Sequence, residues 1–142
     1  MDTRYHYLLL ANYSLLNQIL HEQIRNSDLS PGQPKVLIYL LKHNGVTQKE
    51  LAKGCFLTPG ALTTILNGMM KRGMVERRHE GRNQKEYHIY MTDYGRKLAD
   101  ESEAIFAELD RKAMAGLSED EQYEFIRMFY KIYNNYENTS NE

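Results

Sequence analysis

The stretch from Thr47 to Thr92 reads TQKELAKGCFLTPGALTTILNGMMKRGMVERRHEGRNQKEYHIYMT, and its punctuation decides the fold. Thr47 and Glu50 have the spacing of a capping box, in which a hydroxyl caps an orphan N–H and a carboxylate reaches back to the cap residue. The short helix they open carries Leu51, Ala52 and Cys55 on its apolar side. Gly54 and the run Cys55, Phe56, Leu57 are expected to supply a turn. Thr58 then caps a second helix, with Pro59 at its first position, where a missing N–H costs nothing. Ala61, Leu62, Ile65, Leu66, Met69 and Met70 recur at helical spacing and predict its buried face. Thr63, Thr64, Asn67 and Lys71 fall on the other side. Gly73 stops the helix, and Lys71 and Arg72 suit the negative end of its dipole.

After Gly73 the period changes from helical to alternating. Met74 to Arg78 reads as one strand and Tyr87 to Met91 as its return. The segment His79 to Glu86 between them holds a glycine, Arg82 and Lys85, and no large apolar residue, so it predicts an exposed hairpin tip. Thr92 followed by Asp93 caps the next helix. A short helix, a turn, a second helix and a hairpin make a winged helix-turn-helix, a shape that presses one helix into a DNA groove. The fold class expected is mainly α with a small β-hairpin wing.

Outward from this stretch the chain is helical. Residues 4–26 predict one long helix with two apolar stripes: Leu9, Tyr13, Leu16, Leu20 and Ile24, and Tyr5, Leu8, Leu15 and Ile19. Two stripes exceed what a helix lying on one small core requires. Ser30, Pro31 and Gln33 predict the opening of a helix that runs through Lys42, with Pro34 tolerated in its first turn. A helix from Thr92 is expected to end near Ala115, before Gly116. Ser118 with Glu121 caps a last helix to about Tyr136, aromatic along much of its length, and Glu137 to Glu142 read as a frayed tail. Terminal helices this aromatic predict a partner.

Composition bounds the rest. A chain of 142 residues is one domain's worth, and 42% apolar residues can form a core. The absence of a long apolar run or a signal-peptide pattern predicts a cytoplasmic protein without membrane contact. The net charge is −1, but it is unevenly spread. Residues 47–97 hold ten Lys/Arg against five acids, net +5, and the remainder eight against fourteen, net −6. The positive part coincides with the winged helix, as an electrostatic footprint on DNA would.

The segment from Leu51 to Arg78 resembles the MarR family of bacterial transcription regulators, through Leu51-Ala52, Pro59, Thr63, Leu66, Gly73, Val75 and Arg78. Met91 to Arg96 is similar to that family's strand-to-helix junction. The resemblance implies a homodimeric, ligand-responsive repressor on a pseudo-palindromic operator in double-stranded DNA. It implies a single domain, 1–142, with residues 1–29 and 93–137 forming a helical dimerisation region and 30–92 the winged helix-turn-helix. The DNA-binding positions implied are Thr58, Gly60, Thr63, Thr64, Asn67 and Lys71 on the recognition helix, and Arg82, Asn83 and Lys85 on the wing. Where the family's wing carries Asp-x-Arg, this chain has Asn83 and Lys85; where its recognition helix has a serine and an arginine, this chain has Gly60 and Thr64. Lysine lacks the flat guanidinium fork, so phosphates and DNA shape are expected to carry more of the affinity. Family members often bind small aromatic compounds between the dimer helices and the winged helix, which implies Tyr13, Asn17, Tyr39 and Phe106 as effector contacts.

No catalytic constellation stands out, and an enzyme, a cofactor and a metal site are not expected. Cys55, flanked by Phe56 and Leu57, reads as a buried structural thiol rather than a redox sensor. The rival reading is a winged helix used for protein–protein contact. It requires an apolar recognition face and a neutral wing, and the sequence has neither.

Overall fold

The computed structural model describes residues 1–80 and 85–142. Six helices and one hairpin follow each other: α1 (Tyr5–Ile24), α2 (Gln33–His43), α3 (Gln48–Gly54), α4 (Pro59–Lys71), β1 (Val75–His79), β2 (Tyr87–Met91), α5 (Asp93–Ala113) and α6 (Glu119–Ser140). The chain divides into two compact units, Met1–Ala107 and Glu108–Glu142.

The core of the first unit gathers Leu37 and Leu40 of α2, Leu51 of α3, Leu62, Leu66 and Met69 of α4, Ile89 of β2 and Leu98 of α5. Apolar faces of short helices cannot be buried alone, so α2, α3 and α4 pack around a shared centre with the hairpin at its side. The hairpin is antiparallel with Val75 opposite Met91 and Arg77 opposite Ile89. The segment before α3 extends it: Gly45 N–H donates to Ile89 O at 2.8 Å and Ile89 N–H to Val46 O at 3.0 Å.

Most helix starts follow their local signals. Both hydrogen bonds of the capping box are present at Thr47/Glu50 and at Ser118/Glu121. Thr58 Oγ1 accepts from Ala61 N–H, and Thr92 Oγ1 from Gly95 N–H. The start of α2 differs from expectation. Gly32, at φ +85°, is the cap residue, because Gln33 Oε1 turns back to the Ser30 N–H at 2.9 Å and closes a turn ahead of the helix.

The turn between α3 and α4 is also made differently from the expectation. Leu57 N–H donates to Ala52 O and Phe56 N–H to Lys53 O, the pair of bonds in a Schellman motif. The left-handed residue is Phe56, at φ +57° and exposed, while Gly54 is still helical. Gly54 serves packing instead: a Cβ there would lie 2.2 Å from the Tyr39 ring.

Other boundaries shift for physical reasons. β1 begins at Val75 rather than Met74, because Met74 N–H closes the end of α4 on Met69 O. Ala61 is exposed, so the buried stripe of α4 is Leu62, Leu66 and Met69, with Ile65 and Met70 at its edges. α5 ends at Ala113 as the chain approaches the left-handed Gly116. α6 continues to Ser140, with Thr139 and Ser140 hydroxyls bonded to carbonyls four residues back, so most of the expected frayed tail is helix.

The end of α4, the start of β1 and the start of α5 meet at one peptide. Thr92 Oγ1 shares its proton between Gly73 O (2.6 Å) and Met74 O (3.1 Å), and Thr92 N–H also donates to Met74 O. Gly95 lets the first turn of α5 lie on that carbonyl: a Cβ there would sit 2.0 Å from Met74 O. Replacing Gly95 by alanine should therefore cost at least the roughly 1–3 kcal/mol of an overpacked core. Gly60 has nothing within 4 Å of its Cβ direction. Gly60→Ala should leave stability unchanged or raise it by up to about 1 kcal/mol. Denaturant unfolding of both variants checks the pair, and a Gly95→Ala protein as stable as wild type would remove the close-approach argument.

Candidate nucleic-acid interface

α4 is fixed by what it buries. Leu62, Leu66 and Met69 are fully shielded, which leaves Gly60, Thr63, Thr64, Asn67 and Lys71 exposed. Each threonine hydroxyl on this face is already engaged. Thr63 Oγ1 donates to Pro59 O at 2.9 Å and Thr64 Oγ1 to Gly60 O at 3.2 Å, the back-bonding pattern open to a hydroxyl inside a helix. Thr63 Oγ1 also accepts from Gln48 Nε2 at 3.1 Å. A hydroxyl has one proton, so what these side chains still offer outward is acceptor capacity and a methyl group. Asn67, among the described residues, makes no side-chain hydrogen bond and retains both donor and acceptor.

Beside α4 the structure places residues that sequence reasoning missed. A groove of about 440 Å³ is lined by Thr47, Gln48 and Lys49 of the α3 start, Thr63 of α4, and Arg77, Lys85, Glu86 and Tyr87 of the hairpin. It brings two of the expected DNA-binding residues, Thr63 and Lys85, to one site. The register puts Arg77 opposite Ile89, in phase with the buried Val75, and its guanidinium lies 4.6 Å from the centre of the Tyr87 ring. The signal was in the sequence: an arginine two residues after Val75 in an alternating strand shares the inward face. Arg78 points the other way in the alternation and is engaged by Glu76 at 2.7 Å and by the Tyr90 ring at 4.4 Å. Hydrogen bonding between these groups holds Arg78 charged, with its pKa raised chiefly by Glu76.

Of the other expected sites, Arg82 and Asn83 lie outside the described residues. Thr58 Oγ1 accepts the cap bond and, being exposed, keeps its own proton to donate. Tyr39 stacks on His43, ring centres 4.3 Å apart, and Tyr13 is 60% exposed. Asn17 and Phe106 are half-buried, and no hydrogen bond or ring contact joins any of these four among the described residues. No helix of the described residues is long and apolar enough to cross a membrane.

The family model described as the MarR family matches residues 27–86, from the turn before α2 to the wing. The chain resembles that family over this stretch. Among curated relatives, the HTH-type transcriptional regulator BilQ of Clostridium symbiosum is 24% identical over 110 residues, covering 78% of this chain and 76% of that protein. The HTH-type transcriptional repressor Rv2887 of Mycobacterium tuberculosis is 32% identical over 88 residues, covering 62% of this chain and 63% of the relative. The solved structure of the S. aureus MepR–DNA complex shares the fold with a TM-score of 0.86 at 22% identity, over 94% of this chain and 99% of that one. Both of these curated relatives are named as transcription regulators.

Cys55 closes α3 from inside. It is buried, with Sγ 3.7 Å from Lys35 O. Burial pushes its pKa up to about 11, against the opposing pull of Lys35. The thiolate is the reactive form, so in the folded protein Cys55 should resist thiol reagents near pH 8 and react fully once the chain is unfolded. Rapid labelling of the native protein by a disulfide reagent would contradict this placement.

Proposed function

We propose that this chain binds operator DNA as a homodimer and represses transcription, with α4 in the major groove and the hairpin wing against the flanking backbone or minor groove. The observation that carries the reading is the α4 outer face, polar and held by a fully buried inner stripe, beside a groove that carries three cations and one acid. A docking face for a protein partner would instead be apolar, and the large side chains Leu62, Leu66 and Met69 all point inward. The relatives' names support the same reading: one is a repressor, and a neighbour of the same fold was solved on DNA.

Dimerisation is inferred from each chain end separately. α1 exposes Leu8, Leu10, Leu15 and Ile19, and buries only Ile24. α6 has no buried residue, although it carries Phe125, Ile126, Phe129 and Tyr133. Apolar surface of this extent is rarely left to water in a soluble monomer. We therefore assign residues 1–29 and 93–137 to a dimerisation region and 30–92 to the DNA-binding unit. Replacing Ile126 and Phe129 together by aspartate should convert a dimer to monomers in sedimentation, with helicity retained. A wild-type chain that sediments as a monomer would end the dimer reading.

A two-fold dimer with one recognition helix per chain should protect a pseudo-palindrome with half-sites about 10–10.5 base pairs apart. Asn67 can offer adenine a donor and an acceptor together. Asn67→Ala should cost roughly 1–3 kcal/mol on the preferred operator and much less on random DNA, since it removes no charge. Titrations against both DNAs at one salt concentration decide it: equal losses would demote Asn67 to a positioning residue.

A further inference from the structure

The groove beside α4 contains two polar atoms that the protein does not satisfy. Arg77 Nε and Gln48 Oε1 are shielded from solvent and have no hydrogen-bond partner among the described residues. A shielded polar atom without a partner is rare enough in folded proteins to require an explanation. Here the two atoms lie among the residues lining one open groove, which also carries Lys49, Lys85 and Glu86. The lining charges are three positive against one negative, so the groove favours an anion. The Arg77 guanidinium lies over the Tyr87 ring, 4.6 Å from its centre, a cation–π contact that anchors it at the groove wall.

We propose that this groove, between the start of α3 and the base of the wing, seats a backbone phosphate of bound DNA, with Arg77 as its main donor and Lys49 and Lys85 as supporting charges. The proposal rests on the DNA-binding reading and adds to it residues outside the recognition helix and the wing tip. A phosphate oxygen gives Arg77 Nε its missing acceptor. A phosphodiester offers no proton to Gln48 Oε1, but the amide is nearly symmetric in shape. A half-turn about its last torsion presents the NH₂ to the phosphate and Oε1 to the Thr63 hydroxyl. That hydroxyl then moves its proton from Pro59 O to Gln48. The seated phosphate is in this way linked, through one side chain, to a residue on the outer face of α4.

A phosphate contact is sequence-independent, so random-sequence duplex DNA is a sufficient probe. Arg77→Met should lower the slope of log K against log salt by about 0.9 for each chain bound. It should weaken binding to random and operator DNA by the same factor. Arg77→Lys keeps the charge but loses the Nε donor and the planar fork, so it should bind more weakly than wild type with the slope retained. Tyr87→Leu should behave as Arg77→Lys does. These two variants keep the test alive if Arg77→Met fails to fold, which thermal melting would show. An unchanged slope and affinity in folded Arg77→Met would overturn the proposal and leave the orphan atoms to a bridging water. Wild-type protein that bound no duplex DNA would instead refute the DNA-binding reading itself.

Discussion

The structure of the winged helix-turn-helix depends on the Gly73–Met74 peptide. Gly73, at φ +71°, lets the chain leave α4, and Met74 N–H returns to Met69 O to close the helix end. The carbonyls of the same two residues then receive the hydroxyl of Thr92. Gly95 gives up its side chain so that α5 can rest on Met74 O. One short segment thus fixes where α4 stops, where the wing begins and where α5 departs. A recognition helix and a wing must hold a set distance from each other to meet DNA together, and this contact sets that distance with backbone atoms.

Burial, not ion pairing, holds α4 in that frame. Leu62, Leu66 and Met69 are fully shielded, and burying each such side chain is worth roughly 1.5–3 kcal/mol. The ion pairs of this unit, such as Arg78–Glu76 and Arg72–Asp28, are exposed, where solvent screening leaves them little net stabilisation. The inner stripe therefore determines the pose, and the polar outer face is left to vary without unfolding the unit.

Local signals in the chain were legible, and those that depend on distant partners were not. Thr47/Glu50, Thr58, Thr92 and Ser118 each cap as their spacing predicts, because a cap is decided within four residues. Within the turn, which residue of the run from Gly54 to Leu57 takes the left-handed position was not legible, for the opposite reason. The Tyr39 ring that excludes a side chain at Gly54 comes from α2, and only the full fold shows that Phe56 takes the left-handed position. The Ser30 turn and the Gly32 cap were missed because the glutamine that closes them also belongs to the helix it precedes. Of the interface, the outer face of α4 followed from periodicity alone. The groove did not, since it joins α3, α4 and the hairpin, and its central arginine looks like one of two in an ordinary polar strand until register assigns it inward.

The threonines sharpen what that interface can read. With both hydroxyl protons given to carbonyls of their own helix, Thr63 and Thr64 can meet a base only through a lone pair or a methyl group. A lone pair suits the amino groups of adenine or cytosine, and a methyl suits thymine. Guanine, whose major-groove edge presents two acceptors, gains nothing from either. The position where the family often has an arginine is Thr64, so the usual forked donor to guanine is missing from this part of the helix. On the DNA-binding reading, Thr63 and Thr64 should then favour adenine, cytosine or thymine edges over guanine, and the guanidinium that remains nearby is Arg77, over the Tyr87 ring in the groove. On that same reading, specificity and affinity would be separated in space, with uncharged side chains toward the bases and the planar cation toward the backbone.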